Sequence, residues 1–509
     1  MNTINNKNIG ILDPNGNNPN PLTNEPYSET YKELSMKWSK YPAYENAEEI
    51  IQDIKENQVL LVISGTGSGK TVLLPKYMLH SLDYKGKIGI TLPKQIVAKS
   101  AAEFAAKTLD VKLGEQVGYK YKGSEPEFSG KNPNLLYATD GTIVARLLND
   151  ALLSEFDAII IDEAHERKIQ IDFLLYLLRN VVKNRPEFKL IIMSATINAQ
   201  IFESYFAIFK FKKIDIGGKT NFPIESIFMD STSSADTYVI KGKEIVKKLM
   251  LSYSEKDLKT KINDILFFVC SINECIDLRN EFTKLYPQVK SLAIFSGISD
   301  ELQNEVQNKL THDRRIIVST NVAESSLTVD GIKYVIDAGY ELLSSYEPVK
   351  HAKVLDKKLI SQAQAKQRMG RAGRTESGIC YHLYTSNEFE SIMDKFPTPS
   401  IRNSDITSES LRLMKLSEKQ DITSLLNTLS GLIEPPREIY IRSSIKNMEM
   451  LKLLDSGKLN KLGLLVADLQ LEISDTLSLI YAYRLRCFKE VLLIITCVET
   501  LKTYIMDLF

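Results

Sequence analysis

A chain of 509 residues is too long for one compact core, so about three or four domains of ordinary size are expected. Its 43% hydrophobic and 25% charged residues exclude a disordered or membrane-embedded class. Lys plus Arg and Asp plus Glu both number 64, so the net charge is zero, no global positive field announces a nucleic-acid partner, and any basic surface must be local.

Residues 1–37 are rich in Asn and Pro and poor in large apolar groups, which predicts a flexible tail that buries too little to offset its ordering entropy. From Val59 onward short apolar runs alternate with amphipathic stretches: VLLVIS, KIGIT, NLLYAT, DAIIID and LIIMSAT each end in a polar or Gly-containing turn. That rhythm predicts a parallel sheet with crossover helices. A second series starts near Pro223 with IESIFM, DILFFV, SLAIF, RIIVS, KYVID and GICYHLY, so the fold class expected is α/β, two parallel-sheet domains in tandem over 38–222 and 223–395. Beyond 396 the sequence turns helix-rich, with Pro435 and Pro436 as punctuation and a KLNKLG segment that suits a wing. Five cysteines (Cys270, Cys275, Cys380, Cys487 and Cys497) have no metal spacing and no even count, which favours a reducing compartment. No secretory pattern opens the chain, and Val491 to Val498 is far too short for a bilayer span. A cytoplasmic or nuclear protein without a membrane partner is expected.

The run VLLVIS leads directly into Ser64-Gly65-Thr66-Gly67-Ser68-Gly69-Lys70-Thr71 and then into a helical stretch. A strand, glycine loop and helix in that order aim several backbone N–H groups and a helix N-terminus at one point, which suits a polyphosphate. Gly65, Thr66, Gly67, Ser68 and Gly69 would form the cradle, Lys70 would reach the β/γ-phosphates, and Thr71 would ligate Mg²⁺. Ser64 departs from the glycine of the strict pattern. A chance Gly/Ser turn is the bland alternative, but the Lys-Thr and the flanks weigh against it. The second apolar run, DAIII, delivers Asp162-Glu163-Ala164-His165 to the carboxyl edge of a sheet, where open α/β folds bind ligands. Asp162 is expected to hold Mg²⁺, Glu163 to orient and deprotonate water beside the same metal, and His165 to couple the site to a neighbouring domain.

These motifs resemble those of superfamily 2 helicases, specifically the DEAH-box branch. Ser194-Ala195-Thr196 looks like the family's third motif, Ser319 to Thr328 with Asp330-Gly331 like its fifth, and Gln367 to Arg374 like its sixth. Thr139-Asp140-Gly141 and Thr91 to Ser100 resemble its two RNA-contacting motifs. The likeness runs over roughly residues 38 to 509. It implies coupling through Ser194 and Thr196, nucleotide contact by Asp330, and arginine fingers at Arg371 and Arg374 with Gln367 beside the attacking water. It also implies backbone contact from Lys94, Thr139, Asp140, Thr320 and Asn321, a duplex-splitting hairpin between Ala338 and Ser361, a winged-helix-like domain over 396–460 and a partial ratchet over 461–509. Phe104 and Gln307 align where the family stacks adenine, and the family's OB-fold is expected to be missing.

The function expected is an ATP-dependent RNA helicase moving 3′→5′ with ATP and Mg²⁺ on single-stranded RNA or an overhanging duplex, as a monomer. A glycine-rich activator protein and a viral source are further implications of the resemblance and composition. A DNA helicase shares every ATPase residue, whereas an idle scaffold or a small-molecule P-loop kinase does not need this full set. The Lys-rich span 241 to 261 reads as a solvated helix face.

Overall fold

A computed structural model of the chain describes residues 9–65, 67–217, 222–231, 234–252, 263–298, 302, 305, 306, 314–325, 329, 331–374, 376–469 and 471–504. Thr66, Gln307, Ser326 to Thr328 and Asp330, and the lysines 256, 259 and 261, lie outside the described residues. Two compact units divide the chain: Met1–Thr220 with Leu432–Glu434, and Asn221–Gly431 with Pro435–Phe509.

The first unit carries a parallel sheet of β1 (Val59–Ser64), β2 (Ile88–Leu92), β3 (Val117–Lys120), β4 (Leu135–Thr139), β5 (Ala158–Ile161), β6 (Lys189–Ser194) and β7 (Phe211–Gly217), in the order β3-β4-β2-β5-β6-β1-β7. Both faces are covered, so the central strands read as unbroken apolar runs. Leu60 and Val62 of β1 enter one core cluster with Ile191 and Met193 of β6, while Val59 and Leu61 enter the opposite cluster with Leu190 and Ile192. That alternation is the two-residue period of the pleat. The two strands not anticipated, β3 and β7, are the sheet's edges: β7 exposes Lys212 and Lys213, lysines that blunt an edge and erase the apolar signal.

The N-terminal segment corrects the expected flexible tail. From residue 9 onward it packs: Ile11, Tyr27, Tyr31 and Trp38 are buried in the first core cluster. Tyr27 and Tyr31 stack at 3.9 Å, and Asn20 Nδ2 donates to Leu109 O at 2.8 Å. Ser28 caps the helix Glu29–Trp38. Tyr27 and Tyr31, with Ile11 and the adjoining Trp38, supply the burial that composition averaged over 37 residues conceals.

The second unit carries β8 (Ile224–Phe228), β9 (Asp264–Phe268), β10 (Lys290–Ile294), β11 (Arg315–Ser319), β12 (Ile332–Asp337) and β15 (Gly378–His382), a parallel sheet in the order β10-β11-β9-β12-β15-β8. Between β12 and β15 an antiparallel hairpin pairs β13 (Tyr340–Glu347) with β14 (Ala352–Leu359), where the Ala338 to Ser361 hairpin is expected. Helices Thr407–Leu416, Ile422–Ser430, Glu438–Met450, Lys461–Asp468, Ile473–Arg484 and Phe488–Tyr504 follow. Only the first two residues of KLNKLG form a strand: β17 (Lys458–Leu459) pairs with β16 (Leu454–Asp455) around Ser456 and Gly457, whose φ values of +48° and +78° suit a tight hairpin turn. Asn460 then caps the next helix, its side chain accepting from Gly463 N at 2.9 Å. Lys243, on the helix Tyr238–Leu251, pairs with Glu281, in line with a solvated face. No helix among the described residues is long and apolar enough to cross a membrane.

Candidate nucleotide site and strand-facing motifs

The loop after β1 has the conformation that its glycines predict. Gly67 and Gly69 take φ of +87° and +88°, a region open to glycine and rare for other residues. A Cβ on Gly67 would meet nothing within 4 Å, while one on Gly69 would lie 2.5 Å from Tyr41 Cδ2. Ser68 O accepts from Ala43 N at 3.0 Å. Because a trans peptide sends its C=O and N–H in opposite directions, that bond turns the Gly69 N–H toward the other side of the loop. Ser64 finds a use for its side chain here: Ser68 Oγ donates to Ser64 Oγ at 3.0 Å, closing the loop's base.

Lys70 opens the helix Lys70–Ser81 and is buried, its Nζ 3.9 Å from Glu163 Oε1. Thr71 Oγ1 donates to Asp162 Oδ2 at 2.6 Å, and Glu163 N donates to Asp162 Oδ1 at 2.8 Å. Burial, with help from the neighbouring Glu163 charge, pushes the Asp162 carboxyl up to about 6 despite Lys70 and Thr71. A fully buried carboxylate beside a hydroxyl is a donor set that a hard divalent cation satisfies with one or two protein oxygens and substrate phosphates. Glu163 Oε1 lies 3.9 Å from Lys70 Nζ and Oε2 lies 3.3 Å from His165 Nε2. Among the described residues no three His, Cys, Asp or Glu side chains converge as a metal set.

His165 links two motifs. Burial and then the Lys70 charge hold its imidazole down to about 4, so the ring is neutral at physiological pH. Nδ1 accepts from Ala195 N at 3.4 Å, and Nε2 lies 3.3 Å from Glu163 Oε2 without an aligned hydrogen bond. Glu163, His165 and the Ser194-Ala195-Thr196 segment thereby form one chain of contacts. Ser194 is buried at the end of β6.

The strand-facing residues divide. Lys94 stands at the N-terminus of the helix Gln95–Leu109, and Asn321 is exposed at the start of the turn Val322–Ser325. Thr139 lies at the start of the helix Asp140–Asn149 with its hydroxyl 2.9 Å from that of Thr142. Asp140 and Thr320, expected on the surface, are buried. Burial pushes the Asp140 carboxyl up to about 6 against the Thr91 hydroxyl and Lys168. An inward carboxylate does not meet a polyanion, so Asp140 serves the interior of the first unit. Phe104 is exposed on its helix.

In the second unit, Gln367 lies on the helix Gln362–Met369, Arg371 is buried with Nη2 donating to Glu324 O, and Arg374 is half-buried. The residue within this motif that the sequence does not single out is Arg368. It donates to Asp337 Oδ1 at 2.9 Å and to Glu324 Oε2 at 3.1 Å. Burial alone would raise Asp337, but Arg368, then His382 and the Gly339 N–H, hold it down to about 2. Burial pushes Glu324 up to about 7 in spite of Arg368. Asp337 and Tyr384 also share a 2.8 Å hydrogen bond, so the end of β12 fixes the helix that carries the motif.

Comparison with known proteins decides the family. Residues 44–204 match the DEAD/DEAH box helicase model, and 242–376 match that of the helicase conserved C-terminal domain. A protein of Acanthamoeba polyphaga mimivirus named "Putative ATP-dependent RNA helicase L540" is 41% identical over 511 residues, 98% of this chain and 72% of that protein. The chain belongs to the DEAD/DEAH-box helicase family. Another relative, the ATP-dependent RNA helicase HrpA of Borreliella burgdorferi, is 37% identical over 358 residues, covering 69% of this chain and 42% of its own length. Both family matches fall on the two parallel sheets, so the tandem α/β architecture and the helicase motifs coincide.

Proposed function

We propose that this chain is an ATP-dependent RNA helicase that hydrolyses Mg-ATP and moves 3′→5′ along single-stranded RNA. The observation that carries the reading is the convergence of Lys70, Thr71, Asp162 and Glu163 at the carboxyl edge of one parallel sheet, with His165 tying Glu163 to Ala195. The relatives' names support the RNA substrate, and the direction of travel rests on the family resemblance.

The chemistry follows from the side chains. Lys70 and the N–H groups of the glycine loop bind the β/γ-phosphates, and Thr71 and Asp162 would hold magnesium, which supplies charge neutralisation on the phosphate oxygens when bound. Glu163 accepts the proton of the attacking water, and neutral His165 lies beside the carboxylate that does so, its Nε2 3.3 Å from Glu163 Oε2. Arg371 and Arg374 are proposed to neutralise the transferring phosphoryl group, with Gln367 orienting water and Asp330 contacting the nucleotide. Arg371 must then release the Glu324 carbonyl. Lys94, Thr139 and Asn321 are proposed to grip the RNA backbone without reading bases. Monomeric action, an activating glycine-rich partner and a cytoplasmic or nuclear setting, including that of a viral infection, complete the proposal.

The deciding experiment compares magnesium-dependent ATP hydrolysis with no polymer, with single-stranded RNA and with single-stranded DNA, followed by unwinding of duplexes with 3′ or 5′ overhangs. Stimulation by RNA and preference for the 3′ overhang are expected. Stimulation by DNA alone supports a DNA helicase, and hydrolysis indifferent to both polymers sinks the helicase reading.

A further inference from the structure

The turn that presents Glu163 is bracketed by two left-handed residues that are not glycine. Glu163, at φ +56°, precedes the single 3-10 turn Ala164–Glu166, and Arg167, at φ +42°, ends it. L side chains occupy this region rarely, and such conformations persist where the surroundings over-determine them.

At Arg167 those surroundings are visible. Its buried guanidinium donates from Nε to Asp172 Oδ1 at 2.7 Å and from Nη2 to Asp172 Oδ2 at 3.1 Å. From Nη1 it donates to Glu434 Oε2 at 2.6 Å, across 267 residues of sequence. The guanidinium carbon also lies 5.8 Å from the centroid of the Phe202 ring. Glu434 ends the segment Leu432–Glu434, which belongs to the first unit although its sequence neighbours on both sides do not. Ile433 seats that segment in the same apolar cluster as Ala164, Ile171 and Phe202. Pro435 and Pro436 follow at once and stiffen the chain beyond it.

Asp172 alone balances the charge of Arg167. Glu434 therefore contributes a third point of fixation, and without it Arg167 keeps both bonds to Asp172. We infer that Glu434 is a positioning residue for hydrolysis: by gripping Arg167 it holds the Ala164–Glu166 turn, and with it the Glu163 carboxylate, in the geometry that meets Lys70 and His165. The inference rests on the reading of Glu163 as the group that activates water. It makes hydrolysis depend on whether residues 432–434 are seated.

The test uses the full chain with Glu434→Ala and the nearly isosteric Glu434→Gln, measuring RNA-stimulated ATP hydrolysis against ATP concentration, with thermal melting and the melting shift given by ADP. Glu434→Ala is expected to lower kcat by about ten- to a hundredfold through misplacement of the base. KM for ATP and the ADP shift stay within about twofold, and Glu434→Gln falls between. A purely stabilising contact would instead lower the melting temperature and leave kcat at the wild-type value well below melting; that result overturns the inference. If Glu434→Ala does not fold, Glu434→Gln decides by the same two readouts. Wild-type protein without RNA-stimulated hydrolysis would defeat the helicase reading itself, whereas active wild type with unaltered variants defeats only the role of Glu434.

Discussion

Asp337 and Arg368 form a solvent-excluded ion pair, Oδ1 to Nη1 at 2.9 Å, that joins the end of β12 to the helix bearing the sixth motif. Asp337 accepts further bonds from Tyr384 Oη and Gly339 N, so its lone pairs are satisfied. Removing one partner of such a pair strands the other's charge. Arg368→Met is accordingly expected to destabilise the second unit by about 3–5 kcal/mol, read as a lowered transition in calorimetry of the full chain. An unchanged transition would show that the pair is not the anchor described.

The buried Asp140 makes stability depend on pH in the opposite sense from a salt-bridged acid. Its folded value near 6 lies above the unfolded 3.8, so between those values the folded chain holds a proton that the unfolded chain has lost. Stability contributed by the protonated form is therefore complete below about pH 4 and falls as pH rises to about 6. Asp140→Asn, which carries no charge, should gain relative to wild type across that window and be the more stable by about 1–3 kcal/mol at pH 7.5. Denaturant melts of both proteins at pH 4.5 and 7.5 check the sign; an Asn variant less stable at the higher pH refutes it.

Gly69 is constrained twice, by φ +88° and by Tyr41. Gly69→Ala is expected to abolish the melting shift given by Mg-ADP. Because the dihedral strain survives removal of the ring, adding Tyr41→Ala should not restore it. Full restoration would mean that the collision alone matters.

Glu163→Gln retains the size of the side chain and one acceptor oxygen but removes the base. RNA-stimulated hydrolysis should fall by at least about a hundredfold while ATP still shifts the melting temperature. Turnover at the wild-type rate would eliminate Glu163 from the chemistry.

The hairpin of β13 and β14 is fastened at both ends. Lys357 Nζ meets Glu274 Oε1 at 2.8 Å, and Tyr346 Oη accepts from Asn447 Nδ2 at 3.2 Å. Lys357→Ala is expected to reduce unwinding of a 3′-overhang duplex several-fold with RNA-stimulated hydrolysis within about twofold. Equal loss of both activities would place Lys357 in the hydrolytic step instead.

Sequence by itself determined the central strands of the two parallel sheets, the phosphate loop and the acidic strand end, because each is written in a local period or in neighbouring residues, while the hairpin was expected from the family resemblance. Val59 to Thr71 is legible as strand, loop and helix since every part of its chemistry lies within one short stretch. Tertiary structure decided the rest. It turned Asp140 inward, drew residues 9–38 onto the first core through Tyr27, Tyr31 and Trp38, and gave Arg368 its two carboxylates. It also brought Glu434 to Arg167 across 267 positions. Periodicity records which face a residue occupies, whereas a buried charge is defined by the partner that neutralises it, and no pattern along the chain encodes where that partner arrives.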